Sequence, residues 1–236
     1  MKNIIAIFTL VFSLFSMAQQ ETKGQFKTTI EKQAELNYLL YQPKDTTVAK
    51  PLILFLHGSG EKGNDLEKIK VYGPFKYLKT NSLDAFVLAP QCPEGKNWDS
   101  DELYALVQKV MKEHNIDSSR VSLTGLSHGG WGSWNLAAAY PDTFAVLVPI
   151  CGMVDRVPLF EAEKIKNIPT RIFHGVLDDV VPMTESVTIY RKLVSIQAKD
   201  VHLTLFDDAN HDSWTRVYDN AEIYEWMLQQ KKEVKK

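Results

Sequence analysis

Short, almost wholly apolar runs recur along the chain at Leu52–Leu56, Ala85–Ala89, Val121–Thr124 and Phe144–Pro149, and two more follow at Thr170–Phe173 and Val201–Phe206. Runs of this length, apolar at nearly every position rather than at alternate ones, predict strands buried on both faces, as in a parallel sheet. Between them the period changes. From Asp99 to His114, Leu103, Leu106, Val107, Val110 and Met111 form one stripe; Asp99 is placed to cap the helix and Glu102 stands three residues on. Further helices are predicted at about Gly129–Tyr140, where Pro141 stops the run, at Thr184–Gln197, and at Asn220–Lys231, whose Ile223, Trp226 and Met227 share a face. Residues 25–42 lack helical period and alternate in part through Leu36, Tyr38 and Leu40, which predicts an antiparallel hairpin ahead of the parallel strands. Strands alternating with helices give an α/β class with a mostly parallel, twisted sheet and helices on both faces.

Composition sharpens this only at the amino terminus. Lys2 precedes an apolar run from Ile4 to Phe15, and Ser16-Met17-Ala18 supplies small residues of the kind a signal peptidase reads. The run is shorter than the roughly 20 residues that span a bilayer, and no Cys follows to carry a lipid. The expectation is an export signal over 1–18, a single domain over 19–236, and a periplasmic or secreted product without a stable membrane anchor. No internal repeat, low-complexity tract or flexible linker marks a second domain. With 27 Lys+Arg against 29 Asp+Glu, the net charge of -2 supplies no basic field for nucleic acid.

The chemistry gathers on Gly125-Leu126-Ser127-His128-Gly129, which follows a predicted strand and opens a predicted helix. This is the context a GxSxG nucleophile needs: the serine projects from a tight, strained turn, and side chains two positions to either side would strike the neighbouring strand and helix. A serine hydroxyl needs a base, and six histidines compete. His114 ends a helix, His202 lies within a strand, and His57 and His174 each open an HG turn where backbone geometry is the simpler explanation. His128 abuts the serine but enters the helix. His211 lies beyond the last strand, in a loop that can reach back over the sheet, and is the expected base. The orienting acid is sought in Asp178-Asp179, just beyond Thr170–Phe173. Asp178, nearer the strand end, is preferred, and Asp179 is the better candidate to cap the next helix. The order Ser127, Asp178, His211 is a hydrolase order.

His57–Gly63 (HGSGEKG), Ala89–Gly95 (APQCPEG), GLSHGG, HGVLDDVVP and NHDSW together resemble the α/β-hydrolase superfamily. Within it they resemble a group of secreted bacterial carboxylesterases and predicted peptidases related to dienelactone hydrolases, the phospholipase/carboxylesterase group and feruloyl or acetylxylan esterases. The resemblance runs from about Leu36 to Trp226. It implies the same three residues as nucleophile, acid and base, and an oxyanion hole from the backbone N–H of His128 and that of Ser59. Trp98, Trp131 and Trp214 sit beside the expected catalytic loops and could wall a substrate pocket, although each also suits a core. Residues 154–168 are the one sizeable insertion, which implies a minimal lid and an open site. No HExxH, CxxC or phosphate-loop spacing is present, so neither metal nor cofactor is expected. In the superfamily's strand order Cys92 and Cys151 are three inter-strand steps apart, roughly 14 Å at about 4.8 Å per step, so both are expected to be free thiols.

The expected activity is hydrolysis of a small-molecule or glycan ester, with small acyl, acetyl or feruloyl groups, through an acyl-enzyme. A peptidase of the prolyl-oligopeptidase type is the alternative, and a catalytically silent binding module is a third reading.

Overall fold

A computed structural model describes residues 21–29 and 31–232. Ala34–Lys236 forms one compact unit, and residues 1–33 a separate one whose described positions carry no helix or strand. The expected export signal, 1–18, lies outside the described residues, and among those described no helix is long and apolar enough to cross a membrane.

Among the described residues seven strands form one sheet: β1 (Tyr38–Tyr41), β2 (Lys50–Leu56), β3 (Phe86–Pro90), β4 (Ile116–Leu126), β5 (Val146–Ile150), β6 (Thr170–Gly175) and β7 (Val201–Phe206). Their order is β1-β3-β2-β4-β5-β6-β7, with β1 antiparallel to β3 and every other pairing parallel. The helices are α1 (Gly73–Tyr77), α2 (Ser100–Glu113), α3 (His128–Ala139), α4 (Arg156–Phe160), α5 (Ala162–Ile165), α6 (Thr184–Ser195), α7 (Trp214–Tyr218) and α8 (Ala221–Gln229).

The apolar runs are buried because helices cover both faces. Leu52, Leu54 and Leu56 of β2 pack with Leu103 and Val107 of α2, Trp134 and Leu136 of α3 and Ile189 of α6. Their alternates Ile53 and Phe55 turn to the opposite face, toward Tyr218 of α7 and Tyr224 and Met227 of α8. Each such leucine or phenylalanine contributes about 2 kcal/mol on burial, so β2, buried along its whole length, fixes the middle of the sheet. At the start of α2 the Asp99 carboxylate accepts from the N–H groups of Asp101 and Glu102, as the capping pattern predicts.

One expectation is corrected. The described residues 25–42 contain a single strand, β1, and no hairpin. The alternation is genuine, with Leu36, Tyr38 and Leu40 on one face and Leu39 and Tyr41 on the other, but both faces are used and the partner is β3, not a neighbouring stretch of chain. Residues 154–168 form only the short helices α4 and α5, in keeping with a minimal lid. Cys92 and Cys151, following β3 and β5 across three strand steps, are both free and buried.

Candidate active site

Ser127 stands between the last residue of β4 and the first of α3, at φ 51° and ψ -117°, a left-handed conformation that costs a non-glycine residue of order 1–3 kcal/mol. The surroundings leave it no alternative. Its N–H donates to the Ile150 carbonyl of β5, at 2.9 Å, and its own carbonyl accepts from Trp131 N–H one turn into α3, at 3.0 Å. A Cβ on Gly129 would lie 1.9 Å from the Leu56 carbonyl oxygen, and one on Gly125 would lie 2.3 Å from that of Gly129, so both glycines of the motif are sterically required.

His211 reaches Ser127 from the loop after β7, its Nε2 2.9 Å from Ser127 Oγ, while its Nδ1 is 2.8 Å from Asp178 Oδ2. Gly175, the last residue of β6, makes this reach possible. A Cβ there would stand 2.2 Å from the Asn210 carbonyl oxygen and 2.4 Å from that of Ala209, so the histidine loop crosses where a side chain is missing. The Leu177 N–H then donates to the Ala209 carbonyl at 2.9 Å, pinning the His211 loop to the Asp178 loop.

Asp178 lies in the turn after β6, beside His211. Its Oδ1 accepts from the N–H groups of Val180 and Val181 at 2.9 and 2.8 Å. Burial pushes its carboxyl up, but the hydrogen bonds from His211, Val181 and Val180 outweigh that and hold it below the ordinary carboxylate range, so it is ionised at neutral pH. Asp179 is exposed and does not cap α6, whose N-cap is Met183 without a side-chain hydrogen bond. The capping role anticipated for Asp179 is thereby corrected: the turn ahead of α6 is organised by Asp178 itself.

The loop after β2 passes beside the serine, such that a Cβ on Gly58 would stand 3.7 Å from Ser127 Cβ. Ser59 opens the short 3-10 turn Ser59–Glu61, and His128 is the first residue of α3, whose amino-terminal N–H groups carry the positive end of the helix dipole. His57 braces this loop. Its Nε2 accepts from Cys92 N–H at 3.0 Å, so Nδ1 carries the proton toward the Gly58 carbonyl, 2.6 Å away. Burial lowers its pKa to about 4, and it is neutral.

The three tryptophans ring the centre. Trp98 is 7% exposed, its ring 4.8 Å from that of His57 and 6.1 Å from that of His128, so most of its surface belongs to the core. Trp131 stacks on His128 at 5.2 Å, and its Nε1 donates to Asp155 at 2.6 Å. Trp214 meets His211 edge-on at 5.1 Å. Cys151, the residue after β5, also approaches the centre: it, Asp178 and His211 place potential metal-ligating atoms within 4.8 Å of one another. Burial pushes its thiol up to about 12, and the other two groups already share a hydrogen bond.

Sequence reasoning missed His174. Its HG pair suggests only a turn, yet it is fully buried, with Nε2 3.1 Å from Asp178 Oδ2. Its place four residues before the acid, at the end of the same strand, was the available signal.

Comparisons with known proteins agree with this architecture. A thermostable esterase of known structure superposes with a TM-score of 0.71 at 32% identity, covering 84% of this chain and 60% of its own. Poly(3-hydroxyalkanoate) depolymerase C of Paucimonas lemoignei is 47% identical over 134 residues, which is 50% of this chain and 31% of the depolymerase. A bifunctional acetylxylan esterase/xylanase of Neocallimastix patriciarum is 27% identical over 151 residues, 60% of this chain and 21% of that protein. The chain thus spans under a third of the length of these two curated relatives. The model of the phospholipase/carboxylesterase family matches residues 94–224, a span that includes Ser127, Asp178 and His211. The chain belongs to the phospholipase/carboxylesterase family of the α/β-hydrolase superfamily.

Proposed function

We propose that this protein is a serine carboxylesterase in which Ser127 is the nucleophile, His211 the general base and Asp178 the orienting acid. The observation that carries the reading is the continuous hydrogen-bonded chain from Ser127 Oγ through both ring nitrogens of His211 to Asp178 Oδ2. As Ser127 Oγ attacks the acyl carbon of an ester, Nε2 takes its proton; ionised Asp178 stabilises the imidazolium and holds the tautomer in which Nε2 is free to accept. The N–H groups of His128 and Ser59 donate hydrogen bonds to the tetrahedral oxyanion and so stabilise its charge. Collapse expels the alcohol, which takes the proton from His211, and a water activated the same way releases the acid.

The short α4–α5 insertion and the half-buried serine favour small or carbohydrate-linked esters, acetyl and feruloyl esters among them. An ester as the scissile bond is supported by the names of the thermostable esterase and the acetylxylan esterase. Export through the signal at 1–18 belongs to the same proposal, with Gln19 as the first residue of the mature protein, which Edman sequencing of the secreted product checks.

The test is a fluorophosphonate probe and a substrate panel of p-nitrophenyl esters, methyl ferulate, acetylated xylan and aminoacyl anilides. Labelling and ester turnover are expected in the wild type and abolished in Ser127→Ala, which remains folded because a small side chain adds nothing to the turn. Turnover of anilides in preference to esters would make the protein a peptidase. Labelling that persists in Ser127→Ala would place the nucleophile elsewhere.

A further inference from the structure

Asp178 is faced by two histidines, and the proposed function uses only one. His174, the penultimate residue of β6, is fully buried. Its Nε2 is 2.9 Å from the Val181 carbonyl oxygen and 3.1 Å from Asp178 Oδ2, the same oxygen that His211 engages. Its Nδ1 is 2.7 Å from the Ser186 hydroxyl of α6, itself buried.

This set of partners fixes the orientation of the ring. A carbonyl oxygen only accepts, so Nε2 carries a hydrogen, and Nδ1 pairs with the Ser186 hydroxyl. The Nε2–H bond is directed at Val181, and its positive edge lies against Asp178 Oδ2. Val181 closes the circuit, since its N–H donates to Asp178 Oδ1 at 2.8 Å. His174 therefore holds the acid from two directions: through the backbone of the turn that caps Oδ1, and by direct contact with Oδ2. An acid that must keep an imidazole in one orientation is itself oriented by such a partner.

We infer that His174 is a positioning residue for Asp178, locking the carboxylate rotamer and drawing electron density from the oxygen that faces His211. The inference rests on the assignment of Ser127, His211 and Asp178 proposed above.

Removing the N–H edge leaves Oδ2 facing His211 alone, with more negative charge directed at Nδ1, which favours the imidazolium. The acidic limb of the kcat/KM profile, where the base gains its proton, is then expected at higher pH. Among the described residues Cys151 of the β5 loop, whose thiol is protonated, also faces the pair from a packed element; Asp179 and Asp212 are exposed chain neighbours.

The experiment measures kcat, KM and the pH profile of kcat/KM for a p-nitrophenyl ester in wild type, His174→Phe, His174→Gln and Ser186→Ala, with fluorophosphonate labelling and thermal melting of each. His174→Phe keeps a ring but has no N–H; its kcat is expected to fall about tenfold at near-constant KM, with the acidic limb displaced upward. His174→Gln can place an amide N–H where Nε2 stood and is expected to restore the wild-type limb and most of kcat. Ser186→Ala frees the orientation of the ring and is expected to displace the limb in the same direction by less; it carries the test if His174→Phe does not fold. An unmoved limb in the folded variants, or His174→Gln behaving as His174→Phe, would overturn the inference. Should labelling fail to depend on Ser127, the parent assignment falls; should labelling depend on it while the limb stays fixed, only the role of His174 falls.

Discussion

At the scale of single residues, what distinguishes Asp178 from Asp179 is geometry rather than chemistry, since the two side chains are identical. Only Asp178 meets His211, and only its carboxylate takes the backbone N–H groups of Val180 and Val181. Asp178→Asn is expected to lower kcat by roughly 10⁴-fold because a neutral amide neither stabilises the imidazolium nor holds its tautomer. Asp179→Asn is expected to stay within a few-fold of wild type; steady-state ester hydrolysis of the two variants decides the assignment, and the reverse ranking would sink it. Ser127 and His211 were legible in the sequence because one sits in a motif with steric demands and the other beyond the last apolar run, where a loop can reach over the sheet. His174 was not, because an HG pair after a strand has a sufficient backbone explanation. Its side chain gains meaning only when Asp178, Val181 and Ser186, from the following turn and helix, close around it.

At the scale of elements, the site depends on how closely two loops can approach. The backbone of 209–210 lies on Gly175, within 2.4 Å of where a Cβ would be. Gly175→Ala must therefore push the His211 loop outward by the better part of an ångström, a displacement that can cost about a hundredfold in rate when it moves a base off its nucleophile. Unchanged far-UV circular dichroism with kcat reduced by that order is the expected outcome; wild-type kcat in a folded variant would show that the loop has room. The long elements were readable because burial on both faces writes continuous apolar runs and because α2, α3, α6 and α8 extend for two or more turns. The short helices α1, α4, α5 and α7 span four or five residues each, too few for a period to appear. The misread hairpin has the same root: Tyr38–Tyr41 alternates as a strand should, but pairing with Phe86–Pro90 is a long-range event that no local pattern records.

At the scale of the whole molecule, pH acts through groups held neutral or charged by the fold. Burial lowers His57 to about 4 and His128 to about 4 from an ordinary 6.5. The unfolded chain therefore binds protons below about pH 6.5 that the folded chain refuses, and stability falls as pH drops through that window. His57, almost wholly buried, accounts for about 2 kcal/mol of this loss at pH 5. Asp178, with its pKa lowered, acts in the same sense but only below the carboxylate range. Urea midpoints at pH 7 and pH 5 are expected to differ accordingly, and a flat profile would show that His57 is charged in the fold. The reach of His211 has a last consequence, in time rather than in energy. Ser127 and His211 are 84 positions apart and His211 and Asp178 33 apart, so the site exists only when β4, β6 and β7, with β5 between them, are all in place in the sheet. Pairings of such separation are slow to form, because loop-closure entropy is lost before the contacts compensate for it. After dilution from urea, recovery of ester hydrolysis is expected to lag behind tryptophan fluorescence and to follow the slowest phase, so that activity reports completion of the sheet rather than collapse of its core.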